Sequence, residues 1–212
     1  MILFLDTVSS LPEFSIIEDN KIIYSQGILT NDNLKISDCI ISAYLLIEKK
    51  FLIKKKLKLL IINTGPGSYT ALRVGIAFFA GLSLSKEVDL LGVDCISLFR
   101  YVIKDCDLIS SAIYISSSNN QNFFCQFNDK KKLFDISKLE KNTNIDNLIN
   151  GDVNLITTIY SNVDDYITKN FNKKIKKIKF DELVNTYLDK IILLPKKEII
   201  EPIYFSTNKL LN

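Results

Sequence analysis

Histidine is missing from all 212 residues. That excludes imidazole acid–base catalysis, histidine activation of a serine or cysteine nucleophile, and every histidine-containing metal site. Arginine is scarce as well: Arg73 and Arg100 stand alone against abundant lysine. A protein that grips phosphates usually displays the bidentate arginine fork, and the wealth of Lys, Asn and Ile fits a codon bias toward A and T. The formal net charge of +3 is therefore poor ground for nucleic-acid binding. Cysteines 39, 95, 106 and 125 show no C-x-x-C spacing and lie among apolar neighbours. They read as small core residues in a reducing compartment. The opening Met1-Ile2-Leu3-Phe4-Leu5-Asp6 has no basic stretch and meets an acid at once, unlike a signal peptide. The apolar span 59–85 is divided by a Gly-Pro-Gly turn, so neither half reaches the roughly 20 residues of a membrane helix. The expectation is a cytoplasmic protein with no membrane contact.

What is present concentrates in one place. Five of the seven glycines fall between Gly65 and Gly92, where the backbone most needs freedom or close approach. Lys58–Asn63 reads as a buried strand, followed by a tight turn at Gly65-Pro66-Gly67 and a Ser68 or Thr70 helix cap. A helix then runs from about Ala71 to Ser85. Strand, glycine turn and helix N-terminus resemble a phosphate cradle, but the Walker spacing and its lysine are absent. Between Ala71 and Leu84 the only polar side chains are Arg73 and Ser83. A second helix, Asp38 to Leu52, repeats the anomaly: between Cys39 and Ile47 its only polar side chain is Ser42. Such helices are either buried on all sides or covered by a partner.

Along the first hundred residues the elements read β-β-β-α-β-α-β-α, with strands near 1–6, 14–19, 22–25, 58–63 and 89–93 and a last helix near 96–102. This is an RNase-H-like unit with a mixed five-stranded sheet. Strands recur at 112–115, 122–127 and 132–136, with weaker signals at 154–156 and 175–180, as in a degraded second copy. Residues 1–104 then form the first lobe and 105–212 a smaller second one. The polar run Ser116–Asn122 reads as a hairpin loop. Lys173–Lys179 reads as a solvated edge strand whose lysines discourage pairing, and the aromatics Phe78, Phe79, Phe123, Phe124 and Phe127 as core.

These motifs resemble those of a known family. Leu5-Asp6-Thr7 resembles its opening motif, and Asn63-Thr64-Gly65-Pro66-Gly67-Ser68-Tyr69-Thr70-Ala71-Leu72-Arg73-Val74-Gly75-Ile76-Ala77 its signature, with Gly81-Leu82 and Gly92-Val93-Asp94 following in place. Glu201-Pro202-Ile203-Tyr204 resembles its C-terminal segment, without the usual arginine. The family is the bacterial TsaB (YeaZ) subunit of the machinery that makes N6-threonylcarbamoyladenosine at position 37 of tRNA.

The resemblance implies a duplicated α/β actin/sugar-kinase-like fold and a non-catalytic subunit without cofactor. Its implied partners are the catalytic TsaD-type transferase, a TsaE-type ATPase subunit and a second copy of itself, with tRNA touched only indirectly. The implied contact helices correspond to 38–52 and 70–85. The expected interface residues are Ile40, Ala43, Tyr44, Ile47, Ala71, Val74, Gly75, Phe78, Gly81 and Leu82. Gly65, Pro66, Gly67, Ser68 and Thr70 are expected to serve as a structural turn. Leu at Gly75 or Gly81 is expected to block pairing while the monomer still folds.

Two enzymatic readings compete. A small actin-fold ATPase or kinase would place Mg-ATP near Asp6, Thr7 and the Gly65–Gly67 turn. It would need a flexible glycine hairpin after Asp6, yet the next glycine is Gly27. A peptidase would use Ser68 or Ser10, with no histidine and no evident lysine to activate it.

Overall fold

The structure, a computed structural model, describes residues 1–29, 34–106, 111–117, 121–127, 133–139, 154–158, 175–196 and 199–204. The first unit runs β1 (Ile2–Asp6), β2 (Glu13–Glu18), β3 (Lys21–Gly27), α1 (Ile36–Phe51), α2 (Ile53–Lys56), β4 (Leu59–Asn63), α3 (Tyr69–Lys86), β5 (Asp89–Val93) and α4 (Cys95–Asp105). Its strands are ordered β3-β2-β1-β4-β5, antiparallel from β3 to β1 and parallel from β1 to β5. Central β1 and β4 are nearly continuous apolar runs because both of their faces are covered. Edge strand β3 instead alternates exposed and half-buried residues.

The second unit repeats the plan. Strands β6 (Ser111–Ser117), β7 (Gln121–Phe127), β8 (Leu133–Leu139), β9 (Asn154–Thr158) and β10 (Ile175–Ile178) lie in the order β10-β9-β6-β7-β8. The sheet is antiparallel from β8 to β6 and parallel from β6 to β10. This is the first sheet's order again, with β6 in the place of β1. Short helices α5 (Phe180–Thr186) and α6 (Leu188–Ile191) follow β10 as α4 follows β5. The fold is the duplicated RNase-H-like α/β architecture that the element order predicts, the actin-like plan that the family resemblance implies.

Strand alternation divides the apolar residues into two cores. Leu3, Leu5, Phe14, Ile16, Leu60 and Ile62 face α1 and α3. Phe4, Ile17, Ile61, Leu91 and Val93 face the other way, toward α4, α5 and the second sheet. There Phe99 and Phe180 meet with ring centroids 5.7 Å apart, and Ile113, Phe123 and Phe127 close the layer. One core therefore crosses the division placed at 104/105. Helix α5 also reaches β2 and β3 of the first sheet, where the buried Asp181 carboxylate accepts from Ser15 Oγ at 3.2 Å and Ser25 Oγ at 3.3 Å.

Several local expectations change. The pairs Ser116↔Asn122 and Ser117↔Gln121 carry β6 and β7 into the polar run read as a loop, leaving 118–120 outside the described residues. Ladder pairing, not side-chain polarity, fixes where the strands end. Helix α3 begins at Tyr69, so Thr70 sits inside its first turn, and the Ser68 side chain makes no capping hydrogen bond. Capping by side chain appears at α4 instead, where Asp94 accepts from the Ser97 backbone N–H at 2.8 Å and from its hydroxyl at 2.6 Å. Strand β10 does lie at a sheet edge with Lys177 exposed; Lys173 and Lys174 lie outside the described residues. Helix α5 was not read from sequence, because seven residues without glycine or proline punctuation give too short a period.

Candidate functional site: the outer face of α1 and α3

Helix α1 buries Ile36, Ile40, Ala43, Tyr44 and Ile47, an i, i+4, i+7, i+8, i+11 stripe turned onto the sheet. Helix α3 buries Ala71, Leu72, Gly75, Phe79 and Leu82. An aromatic cluster ties both helices to β2: Phe14 lies 6.3 Å from Tyr44, 6.0 Å from Phe78 and 6.1 Å from Phe79 between ring centroids. Seven of the ten expected interface residues (Ile40, Ala43, Tyr44, Ile47, Ala71, Gly75 and Leu82) are thus engaged by the chain's own core. Val74 and Phe78 are half-buried, and Gly81 is exposed.

What remains outside is also apolar. On α1, Ile41, Leu45 and Leu46 are 54 to 60% exposed, and on α3 Leu84 is 82% exposed. The outward line of α3 runs Thr70, Arg73, Ala77, Gly81, Leu84, with small residues in its middle. The two glycines of this helix therefore play opposite parts. A Cβ on Gly75 would stand 2.7 Å from Thr7 Cγ2, whereas one on Gly81 would meet nothing within 4 Å. This corrects the expectation that leucine at Gly75 spares the monomer. Most of the contact residues expected on these two helices therefore point inward. The missing signal was the offset: once 36, 40, 43, 44 and 47 are the inward stripe, 41, 45 and 46 have to point away.

The glycine turn and the first-strand acid form a second, closed cluster. The Asp6 Oδ1 accepts from the Val8 and Ser9 backbone N–H groups at 2.8 and 3.3 Å, and Oδ2 accepts from the Ser9 hydroxyl at 2.5 Å. Burial pushes the Asp6 carboxyl up to about 6 despite these donors. Thr7 is fully buried, and its hydroxyl oxygen has no hydrogen-bond partner.

Gly65 takes φ +110°, a conformation that side-chain-bearing residues rarely adopt. A Cβ on it would also stand 3.0 Å from the Ile203 carbonyl. The amides of the turn look inward. Gly65 N–H donates to Asn63 Oδ1 at 3.2 Å, and Ser68 N–H donates to Ser117 Oγ at 3.0 Å. The Gly65 carbonyl accepts from Cys95 N–H at 2.8 Å, and the Thr64 carbonyl from Ile203 N–H at 2.8 Å. A bridge between Ser9 and Ser117 joins the two sheets at the same point. A phosphate cradle needs outward N–H groups; here the Gly65 N–H is taken by Asn63, the Ser68 N–H reaches the second sheet, and the Thr64 carbonyl holds the C-terminal segment. Burial also pushes the Cys95 thiol well up, which leaves it unreactive. No group of three or more metal-ligating side chains occurs among the described residues, and no described helix is long and apolar enough to cross a membrane.

At the start of α3, Tyr204 packs on Tyr69 with ring centroids 4.6 Å apart. Arg73 Nη1 donates to the Tyr69 hydroxyl at 2.6 Å. The segment that resembles the family's C-terminal motif is therefore laid against one end of the outer face.

The family model described as TsaD, tRNA N6-adenosine threonylcarbamoyltransferase, matches residues 43–209. No curated protein matches the sequence. Among solved structures, a Pseudomonas aeruginosa protein described as similar to the peptidase YeaZ superposes with a TM-score of 0.60 at 13% identity, covering 96% of this chain and 98% of that one. YeaZ from Pseudomonas aeruginosa gives 0.58 at 12%, covering 96% and 99%. The ethanolamine utilization protein EutJ from Carboxydothermus hydrogenoformans gives 0.50 at 6%, covering 87% and 86%. At these identities the likeness is one of fold.

Proposed function

The chain belongs to the TsaD family, tRNA N6-adenosine threonylcarbamoyltransferase, and we propose that it is a non-catalytic subunit of the TsaB (YeaZ) type, which binds and activates the catalytic TsaD-type transferase. Family membership ties the chain to the tRNA threonylcarbamoyladenosine modification system. The finer reading rests on one observation above all: α1 and α3 have satisfied their inner faces and still present Ile41, Leu45, Leu46 and Leu84 to solvent. Large apolar side chains gathered on an open face mark an interaction surface.

The shape of the face favours helices as the occupant. Ala77 and Gly81 put two small exposed residues in the middle of α3's outward line, with Leu84 one turn on, which lets a partner helix approach closely. A stable contact of this kind buries on the order of 1,600 Å² in total. Packing a rigid helix pair against the transferase would fix its catalytic lobe in one arrangement. A TsaE-type ATPase subunit then joins the pair, and a homodimer uses the same face when the transferase is absent. The inward hydrogen bonding of Asp6 and of the Gly65 and Ser68 amides, with the absence of histidine, supports a subunit that performs no chemistry itself.

Co-purification of the tagged chain with the transferase of the same cell tests this reading. Wild type should retain the transferase and support reconstituted tRNA modification. Gly81→Leu should lose both while keeping the wild-type melting curve. Undiminished modification without this chain would refute the proposal, and micromolar Mg-ATP binding by calorimetry would favour the ATPase reading.

A further inference from the structure

The outer face of α1 ends in a concentration of positive charge that protein docking does not explain. Lys49 and Lys50 occupy the last turn of α1, Lys54, Lys55 and Lys56 make up all but the first residue of α2, and Lys58 leads into β4. All six are exposed, and among the described residues none forms an ion pair. The nearest acid on the same helix is engaged elsewhere: Glu48 Oε2 accepts from the Lys54 backbone N–H at 2.9 Å and from the Tyr44 hydroxyl at 3.5 Å. Lys50 Nζ stands 3.9 Å above the Tyr24 ring. Below α2 a recess of about 590 Å³ is lined by Lys55, Lys56 and Lys58, with Glu18 and Asp19 of the β2–β3 turn contributing carboxylates.

A helix C-terminus carries roughly half a negative charge, which accounts for one or two of these lysines and not for six. Held within about two screening lengths of one another, they repel, and a polyanion relieves that repulsion by releasing its own counterions.

We propose that this lysine shoulder is a phosphate-backbone contact for RNA. The scarcity of arginine and the overall charge argue for no base reading, but a local cluster of lysines binds phosphates as point charges without reading sequence. The shoulder begins one helical turn beyond Leu45 and Leu46, about 6 Å along α1. It therefore extends the surface on which the protein partner sits, and a tRNA held by that partner would run onto it. The choice of RNA as the polyanion rests on the chain's family. The contact is direct, in place of the indirect role expected from sequence.

Fluorescence anisotropy with unmodified tRNA and the full chain alone tests the proposal. Binding should weaken roughly 10²-fold between 50 and 200 mM salt if about four phosphates are neutralised. The variant with Lys54, Lys55, Lys56 and Lys58 all changed to Gln should lose most of that affinity, and its log–log salt slope should fall by about 3. A control with Lys35, Lys86, Lys104 and Lys138 changed to Gln, which lowers the net charge equally, should bind like wild type. Equal losses in both variants, no binding at 50 mM salt, or binding to phosphatidylserine vesicles but not to tRNA would each overturn the proposal. Co-purification with the transferase should survive the shoulder substitutions. A wild-type chain that fails to retain the transferase, yet binds tRNA and loses that binding in the shoulder variant, would sink the scaffold reading and leave this one standing.

Discussion

Helices α3 and α4 follow neighbouring parallel strands of one sheet, pack on its opposite faces, and end in opposite circumstances. Helix α4 is covered twice: its inner side lies on Phe4, Ile61 and Val93, and its far side meets Phe123, Phe127, Phe180 and the second sheet. Helix α3 is covered once. Its inner side lies on Leu5, Phe14 and Ile62, and its far side carries Ala77, Gly81 and Leu84 into solvent. Duplicating the unit supplies a lid for one face of the first sheet only. The other face keeps apolar outer residues, consistent with a lid that comes from another molecule.

The largest effect expected from breaking this comparison is in the covered cores. Phe99→Ala between the sheets, or Phe79→Ala beneath α3, should each cost about 3–5 kcal/mol in denaturant unfolding. Leu84→Ser on the open face should change monomer stability by less than about 0.5 kcal/mol. Equal losses at the two kinds of site would mean that α3 is covered after all.

Next comes the contrast between glycines. Gly75→Leu drives a side chain into Thr7 and should lower stability by at least the roughly 1–3 kcal/mol typical of overpacking. Gly81→Leu has open space around its Cβ and should melt near the wild-type temperature, although leucine is the better helix former.

The closed cluster at Asp6 gives a pH signature. Its carboxyl titrates near 6 when folded against an ordinary 3.8, so the folded state holds the proton more tightly. Stability should therefore fall as pH rises from about 4 to 6, by about 3 kcal/mol from this group. Asp6→Asn should flatten that slope in urea midpoints measured across the window. An unchanged slope would mean that the carboxylate is solvated, as an open phosphate site requires.

The smallest effect lies between α1 and α2, where Leu52 adopts φ 52° while 53% exposed. Leu52→Gly should stabilise the chain by about 1 kcal/mol through relief of the left-handed strain, visible as a small rise in melting temperature.

The strands and long helices were legible because their periods are long and clean. Leu59-Leu60-Ile61-Ile62 reads as a two-faced strand from composition alone, and the Gly65–Gly67 turn announces itself. Orientation was harder. On a helix with apolar residues at nearly every position, such as α3, composition reveals that two faces want cover but not which of them meets the sheet. Strand register decides that, through contacts such as Gly75 on Thr7. The Asp6 cluster was half legible: the acid and the missing glycine hairpin stand in the sequence, whereas closure by Ser9 and Ser117 depends on residues far apart in the chain.

Sedimentation velocity of the chain at micromolar concentration, with and without the family's transferase, bears most directly on the uncovered face. Wild type should sediment as a dimer alone and as a heterodimer with the transferase, and Leu45→Glu with Leu46→Glu should sediment as a folded monomer in both mixtures. A wild-type chain that stays monomeric beside the transferase, or a double variant that pairs as well as wild type, would contradict the account.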